Sequence, residues 1–196
     1  MALRNTSQTY GTVAKTFHWL IFLLIAGMVA VGFIMEGMAK GPDAFKLIGL
    51  HKSTGMVVLF LVSLRLMWKA ANVAPLLPVS LHVFEKFLAH AGHFALYVLM
   101  FAMPLSGWAM SSAAGFPVSV YGWFVLPDLV APDNTLKHQM IDLHGFLAWT
   151  LIVMVSLHVL AALLHHFYYR NNVLVRMLPF TKDNSNATDS DTVAGC

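Results

Sequence analysis

The stretch from Asp142 to His166, DLHGFLAWTLIVMVSLHVLAALLHH, constrains this chain more than any other, because it is almost wholly apolar yet carries His144, His158, His165 and His166. Its length is that of a membrane-spanning helix, where an ionisable side chain is costly to hold and by default marks function. His144 and His158 lie 14 residues apart. At about 100° per residue that is close to four whole turns, so both imidazoles leave one helix face at heights about 21 Å apart. One face thus offers two ligands at two depths, and the rest of the chain must supply their partners.

With 58% of its 196 residues hydrophobic and 11% charged, the chain is too apolar for a soluble domain with a water-facing surface. Four runs, at about 15–35, 47–68, 87–110 and 138–169, predict an all-α integral membrane four-helix bundle spanning 15–179. Residues 1–14 form a polar N-terminal segment, expected to be frayed or interfacial, and 180–196 have the small, polar, acidic composition of a disordered tail. Arg4 and Lys15 precede the first run as in a signal peptide, but the run is long for one and ends in no small-x-small cleavage site, so it reads as a retained span. The formal net charge of +3 is spread over the loops and does not point to nucleic acid. The single cysteine, Cys196, is the last residue; the sequence offers no disulfide, no CxxC and no CxxCH. Any haem here is held without a covalent link.

Lysine and arginine orient the bundle. With both termini inside, Arg4, Lys15, Arg65, Lys69, Lys86, Arg170, Arg176 and Lys182 face the cytoplasm and Lys40, Lys46, Lys52 and Lys137 face out, which is the expected N-in/C-in bias. That topology sorts the histidines by depth. His51, His144 and, nearer the surface, His138 lie at the outer level; His18, His90, His93, His158, His165 and His166 lie at the cytoplasmic level. Pro104, followed by Ser106 and Gly107, is expected to kink the third span. The long connection 111–137, with GFPVSVYGWFVLPD, suits a short interfacial segment across the outer mouth.

The economical pairing sets His51 opposite His144 outside and His18 opposite His158 inside. Two pairs of imidazoles across a bundle are what two six-coordinate b-type haems require, one ring nitrogen at each axial position of iron. For any single histidine an interhelical hydrogen bond is the simpler reading; four that pair by depth shift the balance. Zinc or copper also accept imidazole, but no membrane cysteine and few carboxylates accompany these histidines, Asp142 being the near one. Gly32, on the face of His18, and Gly55, one turn after His51, would leave room for a flat macrocycle, although helix packing explains either alone. Arg65, on the face of His51 at the cytoplasmic level, suits a haem propionate or snorkelling to the interface.

FHWLIFLL, GLHKSTG, VSLRL, LAHAGHFALYVLMFAMPLSGWAM, LHGFLAW, LHVLAALLHHF and NNVLVRMLP, in that order between about Lys15 and Pro179, resemble the prokaryotic cytochrome b561 family of di-haem membrane cytochromes. The resemblance implies haem-iron ligation by His18, His51, His144 and His158, two haem b, a place in the bacterial inner membrane and a quinone site near the cytoplasmic haem. His165 is the best quinone candidate: it follows His158 by seven residues on nearly the same face, nearer the interface. The function this implies is oxidoreductase-like electron transfer between a periplasmic donor, superoxide or a redox protein, and membrane ubiquinone. Lys40, Lys46, Lys52 and Lys137 are placed to steer an anionic donor, or are ordinary flanking lysines. Two rivals stay open: a haem-bearing anchor subunit for a partner oxidoreductase, and a histidine-lined metal-ion transporter.

Overall fold

The computed structural model describes residues 2–76 and 82–179; residues 77–81 of the linker and the tail 180–196, with Lys182 and Cys196, lie outside the described residues. Four helices carry the chain: α1 (Thr12–Gly37), α2 (Pro42–Ala70), α3 (Val83–Ala113) and α4 (Asn134–Phe167). Each is long and apolar enough to cross a membrane. All four begin before the apolar runs do, because capping chemistry rather than apolarity sets where a helix starts. Pro42 opens α2, where its missing N–H costs nothing, with Asp43 beside it in the first turn. His82 and Glu85 form a reciprocal capping box on α3, the His82 amide donating to the Glu85 carboxylate at 2.8 Å. The Asp133 carboxylate accepts from the Leu136 amide at 2.9 Å at the start of α4.

Close backbone packing joins α1 to α2, α2 to α3 and α3 to α4. The buried cluster of Ile21, Val58, Val62 and Met100, flanked by Phe17, Leu24, Leu61 and Tyr97, draws on α1, α2 and α3 alone. Leu151 is the buried residue of α4. Large apolar side chains instead point outward from every helix: Leu23 is 64% exposed, Phe60 62%, Phe94 72% and Phe146 68%. In water such a surface would aggregate; in a bilayer it meets lipid.

Between α3 and α4 the connection expected as a short interfacial segment holds a small antiparallel hairpin, β1 (Ser119–Val120) and β2 (Phe124–Val125), with Val120 opposite Phe124. Tyr121 and Gly122 turn it at φ +50° and +77°, positive at both central positions as a type I′ turn demands. Ser53 on α2 fastens it: its Oγ accepts from the Tyr121 amide at 3.2 Å and shares its one proton between the Ser119 and Gly49 carbonyls, each at 2.8 Å. Thr54 Oγ1 and the Tyr121 hydroxyl are 2.8 Å apart. The hairpin thus marks one end of the bundle, beside the start of α2.

The opposite end gathers the termini. The N-terminal residues, expected to be frayed or interfacial, are hydrogen-bonded instead: Asn5 Nδ2 donates to the Val73 carbonyl at 2.9 Å, and the Leu76 amide to the Ser7 carbonyl at 2.9 Å. Gly11 permits this, since a Cβ there would collide with the Leu3 and Arg4 backbone. Trp19 Nε1 donates to the Met177 carbonyl at 2.8 Å, drawing the C-terminal 3₁₀ turn Val175–Met177 over the same end.

Ser53→Ala is predicted to free the hairpin. Each lost hydrogen bond is worth about 1 kcal/mol, so amide hydrogen exchange at Val120 and Tyr121 should quicken several-fold while the amides of α2 stay as they were. Unchanged exchange in the hairpin would show that Ser53 does not hold it.

Candidate functional site

Two pairs of imidazoles stand between α4 and the helices it does not pack against closely. At the hairpin end, His51 of α2 and His144 of α4 have ring centres 6.3 Å apart with planes inclined at 71°. At the termini end, His18 of α1 and His158 of α4 are 6.2 Å apart at 59°. A third ring, His93 of α3, lies 5.5 Å from His158. The sequence placed His93 at that depth but gave it no partner. Among the described residues no group of three or more histidines, cysteines or carboxylates converges as a metal-ion site.

Hydrogen bonds fix the tautomers of several rings, because a neutral imidazole carries one N–H and one lone pair. Ser106 Oγ lies 2.8 Å from the Met103 carbonyl, to which it donates, and 2.9 Å from His144 Nδ1, an arrangement that favours the ring proton on Nδ1. His144 therefore keeps its proton on Nδ1 and its lone pair on Nε2. The opposite holds at His18. Arg65 Nη2, which can only donate, lies 3.0 Å from His18 Nδ1, which puts the His18 proton on Nε2. His51 Nδ1 is buried with no hydrogen-bond partner.

Arg65 has no carboxylate beside it among the described residues; its neighbours are His18 and the Tyr97 ring, whose centre is 5.6 Å from the guanidinium carbon. Lys69 Nζ sits 4.8 Å from the centre of the same ring. Tyr10, outside the spans, adds no negative charge, because burial pushes its phenol above the usual range.

His165, near the end of α4, has its own orientation. Asn171 Oδ1 accepts from the Val173 amide at 3.3 Å, which turns Nδ2 of the same amide toward His165 Nδ1 at 2.9 Å. The His165 proton is thereby on Nε2. Its ring centre is 5.2 Å from that of Tyr169. His166 contacts Phe167, at 4.8 Å between ring centres. His138 and Asp142 are exposed, and His90 is tied back to the Lys86 carbonyl at 2.6 Å.

The remaining expectations divide. A Cβ on Gly32 would meet nothing within 4 Å, whereas one on Gly55 would touch Met28 Cε at 3.7 Å, so Gly55 serves the packing of α2 on α1. Of the four lysines at the hairpin end, Lys52 donates to Ser111 Oγ at 3.0 Å and Lys46 pairs with Asp43 at 3.7 Å. Sequence reading missed the contacts made by Ser106, Gly107 and Asn171. The available signal was a small polar residue at the depth of a histidine on a neighbouring element.

Comparison with known proteins gives the chain a family. A family model described as prokaryotic cytochrome b561 matches residues 9–180. The chain is 35% identical to cytochrome b561 homolog 2 of Escherichia coli (strain K12), covering 91% of this chain and 95% of that protein. It is 29% identical to the probable superoxide oxidase CybB of Yersinia pestis, over 88% and 97% of the two chains. With four helices fit to span a membrane and a match along nearly its whole length, the chain belongs to the prokaryotic cytochrome b561 family, multi-pass proteins of the bacterial inner membrane that carry b-type haem.

Proposed function

We propose that the chain carries electrons across the membrane through two bis-histidine b haems, from a donor at the hairpin end to a quinone at the termini end. The observation that carries this reading is the spacing of the two ring pairs. With metal–nitrogen bonds of about 2 Å and about 1 Å more from each nitrogen to its ring centre, two imidazoles on opposite sides of one metal have centres about 6 Å apart. The pairs His18–His158 and His51–His144 stand at 6.2 and 6.3 Å. At 5.5 Å, His93–His158 fits less well. The orphaned Nδ1 of His51 and the Nε2 lone pair that Ser106 leaves on His144 suit ligation too.

Held there by His18, His51, His144 and His158, haem would supply one-electron chemistry between Fe(III) and Fe(II). The chain's residues do the rest. For His18 to ligate through Nε2 it must lose the Arg65 hydrogen bond, since Nε2 cannot hold both the ring's only proton and the metal. The released guanidinium then has a use, a charge-assisted bond to a haem propionate. His165 presents Nε2–H, a hydrogen-bond donor for a quinone oxygen, and Asn171 holds the ring in that tautomer.

Basic residues orient both termini to the cytoplasm, which makes the hairpin end periplasmic. The relative from Yersinia pestis is named a probable superoxide oxidase, and superoxide is the donor we infer. Lys40 and Lys137 are better placed to steer it than Lys46, which is paired, or Lys52, which is turned to Ser111. Metal-ion transport fits less well, given family membership and no converging metal-ion site among the described residues.

The detergent-purified protein is predicted to show a low-spin b-type spectrum with about two haems per chain, the number four axial histidines serve. His51→Ala is expected to lose one haem and keep the other; a colourless wild-type protein from haem-sufficient cells would sink the reading. His165→Ala should retain both haems and slow quinone reduction several-fold, since the hydrogen bond it removes is worth about 1 kcal/mol. Normal quinone reduction in that variant removes His165 from the path. If haem reduction by superoxide needs a second protein, the chain is an anchor subunit.

A further inference from the structure

Among the four paired histidines, His144 is held most completely, and by residues of α3 that belong to neither ring pair. Ser106 is buried, at 6% exposure. Its hydroxyl proton is committed to the Met103 carbonyl, so its oxygen takes the Nδ1–H of His144. Gly107 follows directly. A Cβ there would stand 3.1 Å from His144 Cε1, 3.5 Å from Nδ1 and 4.0 Å from Nε2, so the imidazole lies against bare α3 backbone. The hydrogen bond fixes which nitrogen faces outward, and the missing side chain fixes where the ring can lie.

We infer that Ser106 and Gly107 form a seat that positions His144 and tunes the hairpin-end haem, an inference that rests on His144 being an axial ligand. A ligating histidine that gives its second N–H to an acceptor is a more basic ligand, and removing such an acceptor typically costs ten- to a hundredfold in metal affinity or activity. The acceptor here is a serine oxygen whose own proton is given to a carbonyl, and each bond in such a chain polarises the next. An electron-richer imidazole stabilises Fe(III) over Fe(II). Ser106 therefore lowers the potential of the hairpin-end haem and leaves the other unaffected. Gly107 acts by shape: a methyl group in its place pushes the ring out of line.

The test is a spectroscopic redox titration, with haem quantified per chain, of the full-length wild type and of the Ser106→Ala, Ser106→Thr and Gly107→Ala proteins. Ser106→Ala should keep two haems with one potential raised and the other unmoved, and Ser106→Thr, which keeps the hydroxyl, should return it toward the wild-type value. Loss of one haem in Ser106→Ala, regained in Ser106→Thr, also supports the seat. Gly107→Ala should lose one haem of the two. Both potentials unmoved in Ser106→Ala, or loss of both haems there, overturns the role given to Ser106; two haems at wild-type potentials in Gly107→Ala overturns that of Gly107. A wild-type protein without haem removes the ligand assignment itself, and the seat with it.

Discussion

An imidazole in hydrocarbon cannot turn to water, so each one the chain places in a span must find a partner inside the molecule or in something the molecule binds. The architecture follows from how that requirement is met. His144 gives its proton to Ser106, and His18 takes one from Arg65. His51 has a buried nitrogen without a partner, and His158 stands against the rings of His18 and His93. Groups left this way in an apolar medium are tolerated where a ligand completes them, which is why the histidine pairs outweigh the rest of the apolar sequence in deciding what the bundle is for.

Packing divides the labour in the same sense. The buried cluster around Ile21, Val62 and Met100 ties α1, α2 and α3 into one unit. The fourth helix leans on α3 and contributes one member to each histidine pair. Small residues let α3 and α4 approach: Gly107 admits the His144 ring. A three-helix unit that holds one histidine of each pair, and a fourth helix that holds both of the others, set two ring separations that are nearly equal.

Much of this was legible in the sequence because helical periodicity and depth are long-range rules. His144 and His158 share a face because 14 residues make nearly whole turns, and charge counting sorted the other histidines to one end or the other. Short-range geometry was less accessible. VSVYGWFV alternates and carries Gly122 at a turn position, the pattern of a hairpin, but in so apolar a chain it read as an interfacial segment. Helix starts depended on Pro42 in the first turn of α2 and on the caps at His82 and Asp133, which lie before the hydrophobic runs. Ser106 and Asn171 could not be assigned at all, since each acts through a tautomer that only coordinates of both partners reveal.

Those tautomers make the two ends unlike. At the hairpin end the proton of His144 is on Nδ1, so on the proposed ligand set Nε2 would bind without a change of tautomer. At the termini end, on the same ligand set, His18 would bind through Nε2 only once Arg65 had let go of Nδ1. The charges differ as well. Arg65 and Lys69 lie together on Tyr97 at the termini end without a carboxylate among the described residues, whereas Lys52 at the other end is turned to Ser111. Fixed positive charge near a redox centre favours its reduced form, and a hydrogen bond that enriches an axial imidazole favours the oxidised one. On the proposed ligand set, both effects make the haem beside Arg65 the easier to reduce, and an electron entering at the hairpin end runs downhill toward His165.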